Sequence, residues 1–127
     1  MKIVLDTNRY SDVARSDAGA LAMIEAAEEV CIPIIVLGEL RAGFQRGTKR
    51  AENEAALAQF LAQPGVRILF LDGQTSVIYA ELEADLLSRG RPIPTNDVWI
   101  AALTIQHGMR LYSRDQHFAH LPQLPRA

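Results

Sequence analysis

Short apolar segments alternate with longer helical patterns along the chain, and this alternation limits the possible folds more than any other feature. Four segments have the length and apolar content of buried strands: "KIVL" (2–5), "EVCIP" (29–33), "VRILFL" (66–71) and "RLYS" (110–113). Strands separated by helices generally pair in parallel and are covered on both faces. We therefore predict an α/β fold with a central, mostly parallel sheet of four or five strands flanked by helices. The proline-rich tail after Phe118 forms either a short edge element or a cover for the sheet.

The segments between these strands carry start and stop signals of helices. Ser16 or Asp17 offers a cap for the first helical pattern, and Gly90 ends the longest one. The predicted helices lie within 11–29, from near Leu37 to Gly47, from a Thr48 cap to Pro64, from about Gln74 to Ser88, and within 94–108. The last of them, "PTNDVWIAALTIQHG", is apolar on nearly every face, so we expect it to be buried.

Length and composition favour one cytoplasmic domain. With 127 residues, of which 49% are hydrophobic, the chain can bury a core of its own, and we predict a single domain over residues 1–127. The one cysteine, Cys31, has no internal partner, which suits a reducing compartment. No apolar run approaches a membrane span, and no secretory signal is recognisable. The net charge of −2 provides no general attraction for nucleic acid.

Four acidic residues occupy places where a parallel sheet collects its functional side chains. Asp6 and Asp115 follow predicted strands, and Glu39 and Asp97 lie in the first turns of predicted helices. Ligands bind outside the carboxyl ends of parallel strands, where helix N-termini also point, so these side chains are expected to converge. Crowded carboxylates repel one another unless a hard divalent cation lies among them. We therefore predict a magnesium or manganese site that hydrolyses phosphodiesters with metal-activated water.

Each of these acids also has a structural interpretation when taken alone. Thr95, Asn96 or Asp97 can accept hydrogen bonds from the first turn of its helix, so Asp97 by itself is more typical of a helix cap. Asp6 and Asp115 can each begin an Asx-turn. Glu39 is harder to explain in this way, because a glutamate among apolar neighbours is rarely buried without a partner.

Motifs around the four acids resemble those of a known family. "IVLDTN" (3–8), "GELRAG" (38–43), "NDVWIAA" (96–102) and "SRDQHF" (113–118) are similar, in order and spacing, to the four acidic motifs of PIN-domain ribonucleases, particularly the VapC-type toxins. The resemblance spans nearly the whole chain and implies a PIN-like three-layer fold. It implies metal ligands at Asp6, Glu39, Asp97 and Asp115, and supporting polar residues at Thr7, Asn8, Asn96 and Ser113. The four motifs together favour ligation over capping for Asp97.

The resemblance also implies a biological role. VapC-type proteins are the toxins of bacterial and archaeal toxin–antitoxin pairs, so we expect a metal-dependent endoribonuclease with Mg²⁺ or Mn²⁺ as its cofactor. The expected partners are an RNA substrate, a cognate antitoxin and a second copy of the chain in a homodimer, with no membrane partner. An antitoxin segment is expected to cover the acidic cleft and to lay an apolar helix near "GELRAGF".

Two other functions are compatible with parts of the sequence. A phosphorylation-controlled receiver module has a similar length, and Asp72 after "RILFL" fits its phosphoacceptor position, although the acidic pair near the first strand and a lysine near the last strand are missing. Alternatively, a PIN-like domain serves in RNA processing rather than as a toxin, or binds a partner without cleaving RNA. Intact acids at all four positions argue against the last of these.

Several other polar residues are predicted to have no catalytic role. His117 and His120 have a spacing compatible with zinc, but no other soft ligand lies nearby, so we interpret them as surface or tail residues. Arg46, Lys49 and Arg50 are interpreted as a solvated helix end rather than as contacts to RNA phosphates.

Overall fold

The computed structural model describes all 127 residues and has one four-stranded sheet flanked by six helices. The strands are β1 (Lys2–Leu5), β2 (Glu29–Pro33), β3 (Val66–Leu69) and β4 (Arg110–Tyr112). Every pairing is parallel, and the order across the sheet is β3-β2-β1-β4. The two central strands are buried almost throughout, as expected for a parallel sheet covered on both faces. The predicted α/β class is confirmed.

The sheet is smaller at both edges than the largest sheet that the sequence allows: one edge strand is shorter, and the tail adds no fifth strand. β3 ends at Leu69 because its partner strand β2 ends at Pro33, the residue paired with Leu69. Phe70 and Leu71, which the sequence placed in this strand, are exposed beyond the pairing. At the other edge, the tail forms one isolated parallel bridge between Leu111 and Arg126 and no fifth strand.

The helices include one that the sequence analysis missed. They are α1 (Thr7–Ala14), α2 (Ala18–Ala26), α3 (Ile34–Arg46), α4 (Arg50–Leu61), α5 (Gly73–Ser88) and α6 (Thr95–Gln106), followed by a short 3-10 helix (Gln116–His120). The chain enters α1 directly after Asp6, where only a polar turn was predicted, because Asp6 caps the helix by accepting from the Thr7 N–H. Ser16, at φ 61°, separates α1 from α2, which Asp17 caps as predicted.

The start of α3 differs from the prediction and changes the position of Glu39. α3 begins at Ile34 rather than near Leu37, because Pro33, at φ −60°, ends the strand and stands at the N-cap position. Glu39 therefore lies in the second turn of α3 and not in the first. The predicted Thr48 cap is also wrong: Lys49 is the N-cap residue of α4 and makes no side-chain capping bond.

Helix α6 is buried on most of its surface, as predicted. Its buried residues are Asp97, Val98, Ile100, Ala101, Ala102, Leu103 and Thr104. It packs mainly against α5 and also contacts α3 and β4. The N-cap residue is Pro94, and no side chain caps the first turn. The capping interpretation of Thr95, Asn96 and Asp97 is therefore wrong, and the Asp97 carboxylate is available for another role.

The core is a continuous cluster of buried apolar side chains from the sheet and all six helices. Cys31 belongs to it, and burial is the main reason why the pKa of its thiol is raised to about 12. This cysteine is therefore a core residue. None of the helices combines the length and the apolar character needed to cross a membrane.

Candidate metal centre

The carboxyl ends of β1 and β4 meet at one edge of the sheet. Leu5 is paired with Tyr112, and the backbone N–H of Asp6 donates to the carbonyl oxygen of Tyr112 at 3.1 Å. The residues that follow each strand, Asp6 and the segment 113–115, are consequently neighbours despite their separation in sequence. Parallel pairing produces this juxtaposition, because it places strand ends of the same polarity side by side.

Asp6 is held by three hydrogen bonds in a nearly closed environment. Only 4% of the residue is exposed. Its Oδ1 accepts from the Thr7 N–H at 2.8 Å, and its Oδ2 accepts from the Ser113 hydroxyl at 2.6 Å and from the Asn8 amide at 3.2 Å. Three of the predicted supporting residues, Thr7, Asn8 and Ser113, are therefore next to Asp6. The Asx-type bond to Thr7 exists as well, so the structural interpretation of Asp6 accounts for one of its two oxygens.

Glu39 joins the same edge through Thr7. The Thr7 hydroxyl donates to Oε1 of Glu39 at 2.9 Å, while the Thr7 backbone holds Asp6. Glu39 is half-buried on α3, and this contact provides the partner that a glutamate among apolar neighbours needs.

Asp97 and Asp115 come together around a histidine that the sequence analysis dismissed. Nδ1 of His117 lies 3.1 Å from Oδ2 of Asp97 and 3.0 Å from Oδ1 of Asp115. Asp115 also accepts from the His117 N–H at 2.9 Å, which is the predicted Asx-turn. His117 is exposed, as predicted for a surface residue, but the prediction missed its contacts with the two carboxylates. One local signal existed, since an Asx-turn at Asp115 brings the residue two positions later back toward the carboxylate.

A continuous series of contacts links all four predicted acids. Glu39 contacts Thr7, and Thr7 contacts Asp6. The Ser113 hydroxyl donates to Asp6 and accepts from the Asp115 N–H at 3.0 Å. His117 then connects Asp115 to Asp97. Asn96, by contrast, is exposed in the first turn of α6 and takes part in none of these contacts.

The acids are close enough to disturb one another's ionisation. Burial is the main reason why the pKa of Asp97 is raised to about 6, the carboxylates of Asp115 and Asp6 raise it further, and His117 opposes the rise. The pKa of Asp6 is also raised, mainly by burial and then by Asp115, although its hydrogen bonds from Ser113, Thr7 and Asn8 lower it. Negative charge at this edge is therefore incompletely compensated by the protein itself.

The donor set fits a hard divalent cation. Carboxylate oxygens from four separate parts of the chain meet at the same edge, and such oxygens are the ligands that Mg²⁺ and Mn²⁺ accept. A cation there would also relieve the repulsion that raises the pKa of Asp97. The closest group of possible ligand atoms belongs to Asp97, Asp115 and His117, which lie within 4.8 Å of one another.

A second polar cluster, which the sequence analysis missed, surrounds Asp12. The Asp12 carboxylate contacts Arg9 at 3.3 Å, Arg15 at 2.8 Å and Arg114 at 2.9 Å, and Arg114 grips both of its oxygens. The hydrogen bond from Arg114 is the main reason why the pKa of Asp12 is lowered to about 2. Arg9 also stacks over the Tyr112 ring, 4.4 Å from its centroid. We call Arg9, Arg15 and Arg114 the arginine cluster.

Asp72, the phosphoacceptor position of the receiver alternative, is at a different part of the sheet. It follows the edge strand β3, which β2 separates from β1. Its side chain caps α5 in a capping box with Thr75 and accepts from the Gln106 amide at 2.9 Å. Helix capping accounts for this residue, and its side chain contacts Thr75 and Gln106 rather than the acids that follow β1 and β4.

A surface cavity of about 220 Å³ lies between α1, α3 and α4, and none of the four acids lines it. Its lining includes Tyr10, Leu40 and Phe44, with Arg15 and Asn53 as polar members. Leu40 and Phe44 belong to the "GELRAGF" segment, so this cavity is at the place where the sequence predicts an apolar partner segment.

The fold and these contacts define an α/β domain with a carboxylate centre at the end of a parallel sheet, and comparison with known proteins identifies its family. The family model of the PIN domain matches residues 3–124. The chain belongs to the PIN domain family.

Individual relatives and solved structures also point to the PIN domain family. The chain is 34% identical over 121 residues to the VapC ribonuclease Y4jK of Sinorhizobium fredii, covering 89% of this chain and 86% of that protein. The structure of VapBC2 from Rickettsia felis, bound to a DNA fragment from its promoter, superposes with a TM-score of 0.89 at 25% identity, covering 100% of this chain and 98% of that chain. VapBC-5 from Mycobacterium tuberculosis, a member of the VapBC family of toxin–antitoxin systems, superposes with a TM-score of 0.75 at 28% identity, covering 98% and 93%. The predicted PIN-like fold is confirmed.

Proposed function

We propose that residues 1–127 form a single PIN-like domain that acts as the toxin of a toxin–antitoxin pair, an endoribonuclease dependent on Mg²⁺ or Mn²⁺. The observation that carries the proposal is the series of contacts that joins Glu39, Asp6, Asp115 and Asp97 at one edge of the sheet. The ribonuclease name of the Sinorhizobium relative and the toxin–antitoxin description of the Mycobacterium structure support the same activity and role.

Asp6, Glu39, Asp97 and Asp115 would hold the cation through carboxylate oxygens. When bound, the cation supplies positive charge for the scissile phosphate and lowers the pKa of the attacking water. The protein's contribution is orientation: Ser113 and Asn8 hold one oxygen of Asp6, and the Thr7 backbone holds the other. Because these bonds exist before an ion binds, little rearrangement of Asp6 is needed on binding.

Contact with the RNA backbone is assigned to the arginine cluster. Three guanidinium groups contact the single carboxylate of Asp12, so positive charge is in excess beside the acidic cleft. Arg114 stands between Ser113 and Asp115 in sequence, and its backbone N–H donates to Asn8 at 3.1 Å, so the cluster borders the centre. Guanidinium groups bind phosphates in a bidentate manner. The net charge of −2 provides no general attraction for nucleic acid, but this local positive charge provides a local one.

The antitoxin is assigned to the cavity between α1, α3 and α4. Tyr10, Leu40 and Phe44 provide an apolar lining that fits one face of an amphipathic helix, and Arg15 and Asn53 provide polar groups beside it. A flexible antitoxin segment that folds on this surface would also reach the acids, where an arginine of the partner would pair with two carboxylates and compete with the cation.

We also propose a homodimer that works in the cytoplasm. Support for a dimer comes from large apolar side chains that the chain leaves in solvent: Phe70 is 64% exposed, Val77 is 51% exposed and Leu87 is 61% exposed. A dimer that buried these side chains would remove their apolar surface from water, which is the main favourable contribution to association. Light scattering of the purified protein measures the mass, and a monomer at micromolar concentration would contradict the dimer.

Expression in a bacterial host tests the toxin role. The wild-type chain should arrest growth, the Asp97→Asn variant should not, and co-expression with the antitoxin gene should restore growth and give a complex on gel filtration. A Phe44→Glu variant should escape the antitoxin but still arrest growth, because the cavity is separate from the acids.

Cleavage of RNA by the purified protein tests the enzymatic role independently. Activity should require Mg²⁺ or Mn²⁺, stop in EDTA and fall about a thousandfold or more in the Asp97→Asn variant, since a metal contributes several kcal/mol to such reactions. Metal-dependent cleavage by a protein that does not arrest growth would favour a role in RNA processing. Full activity in EDTA would overturn the hydrolytic mechanism.

A further inference from the structure

His117 is placed differently from the other two histidines of the chain. Its Nδ1 lies between the carboxylates of Asp97 and Asp115, at 3.1 Å and 3.0 Å from their oxygens. His107 is the exposed C-cap residue of α6, and His120 ends the 3-10 helix, where its carbonyl oxygen accepts from Arg89. Only His117 belongs to the group of possible metal ligands.

The backbone around His117 is fixed by its neighbours on both sides. Asp115 caps the 3-10 helix and accepts from the His117 N–H at 2.9 Å. Phe118, the next residue, is fully buried in the core and anchors the same turn. The imidazole side chain is half exposed, at 50%, so it stands at the solvent side of the two carboxylates rather than in the core.

The separations of the His117 Nδ1 from the two carboxylate oxygens match those of neighbouring ligands on one ion. Two ligand atoms bound at right angles, each about 2.1 Å from the ion, lie about 3 Å apart. Nδ1 has this separation from both Asp97 and Asp115. With its proton on Nε2, neutral histidine presents the Nδ1 lone pair to the space between the carboxylates.

We propose that His117 is a nitrogen ligand of the divalent metal and that it shifts the preference of the centre from Mg²⁺ toward Mn²⁺. The inference rests on the proposed function, because it concerns the same ion. Mg²⁺ strongly favours oxygen ligands and keeps much of its water, whereas first-row transition metals accept imidazole. A centre of carboxylates alone would favour Mn²⁺ less than this mixed set does.

The simpler alternative is that His117 only pairs electrostatically with the two carboxylates. An ion pair of that kind is displaced or loosened when a cation binds, and it leaves no nitrogen bonded to the metal. Pulsed electron paramagnetic resonance of bound Mn²⁺ distinguishes the two cases, because a coordinated imidazole nitrogen modulates the electron spin echo.

The experiment uses the intact purified chain with Mn²⁺ alone. Nitrogen modulation is expected in the wild type, is lost in His117→Gln and is retained in the matched control His120→Gln, which changes the other histidine of the same turn. Circular dichroism confirms that the variants fold. Bound Mn²⁺ without imidazole modulation in the wild type would overturn the assignment of His117.

Affinity provides a second measurement. The ratio of the Mg²⁺ and Mn²⁺ dissociation constants, from calorimetric titration, should fall by about tenfold in His117→Gln, a change of the size seen when one metal-site interaction is lost, and should stay constant in His120→Gln. An unchanged ratio in His117→Gln would contradict the proposal and leave a carboxylate-only centre. If the wild type binds neither ion, both the His117 assignment and the proposed metal-dependent function fail.

Discussion

The Ser113 hydroxyl donates a hydrogen bond of 2.6 Å to Oδ2 of Asp6, although 107 positions separate the two residues in the chain. The same Ser113 oxygen accepts from the Asp115 N–H and from the Asn8 amide. One hydroxyl thus fixes the relative positions of two acids that follow neighbouring parallel strands. Ser113 is 6% exposed, so water cannot easily replace it.

Replacing Ser113 with alanine should therefore weaken both the fold and the metal centre. The substitution removes one hydrogen bond from the buried Asp6 carboxylate and the Ser113 partner of the Asp115 N–H, which together cost about 1–3 kcal/mol of unfolding free energy. It also removes an interaction that lowers the pKa of Asp6, so metal affinity should fall by about 10- to 100-fold. Denaturant unfolding and metal titration check the two effects. Ser88→Ala, which alters an exposed serine on α5, is the control and should change neither quantity.

Asp97→Asn should have the opposite effect on the stability of the metal-free protein. At pH 7.5 the native carboxylate is charged in a buried site beside other acids, and an amide of the same shape removes this repulsion. We expect the unfolding free energy to rise by up to about 2–3 kcal/mol, the equivalent of the raised pKa. Added Mg²⁺ or Mn²⁺ should stabilise the wild type in a concentration-dependent way and the variant much less. A variant less stable than metal-free wild type would contradict the prediction.

The stability difference between wild type and Asp97→Asn should depend on pH. The pKa of Asp97 is about 6 in the folded state against an ordinary value of 3.8, so the folded state binds more protons in between. The unfavourable contribution of Asp97 is therefore present above pH 6 and is relieved as the pH falls toward about 4. Metal-free denaturant unfolding of both proteins between pH 7 and pH 4 should show the difference shrinking. A constant difference would argue against the raised pKa.

Asp12, unlike Asp97, should stabilise the folded protein, and its contribution should change with pH in a lower range. Its pKa is lowered to about 2, chiefly by Arg114, so its stabilising contribution is present above pH 3.8 and is lost as the pH falls toward 2. Asp12→Asn should accordingly destabilise the protein at neutral pH, and the difference from wild type should become much smaller as the pH approaches 2. Unfolding of the two proteins at pH 7 and near pH 2.5 provides the comparison.

Arg114→Gln should weaken the binding of RNA in a way that depends on salt. If Arg114 contacts one phosphate, its removal lowers the slope of the logarithm of affinity against the logarithm of salt concentration by about 0.7 for single-stranded RNA. Fluorescence anisotropy with an uncleavable Asp97→Asn background measures the slope. Arg67→Gln is the matched control, since Arg67 also pairs with an acid, Glu29, but on β3 at the opposite edge of the sheet from β4. Equal slopes in the two variants would remove the arginine cluster from RNA binding.

Local patterns in the sequence were enough to predict most of the fold and to select four acids that the structure brings to one edge of the sheet. Apolar runs such as "KIVL" indicate a strand that is buried on both faces. Asp6 and Asp115 are recognisable because they follow such runs directly. The burial of α6 follows from its composition alone. These features are encoded within a few consecutive residues, so no knowledge of the neighbouring elements was needed.

The tertiary structure decided which polar groups meet. Pro94 rather than an acid stands at the N-cap position of α6, so Asp97 is directed toward Asp115 and His117. Asp12 and Arg114 lie 102 positions apart and meet only because β1 and β4 are parallel neighbours. The periodicity of the sequence predicts neither contact, because each depends on how separate elements pack. The alternation of strands and helices determines the edge where acids gather, and only packing determines that a histidine and three arginines join them there.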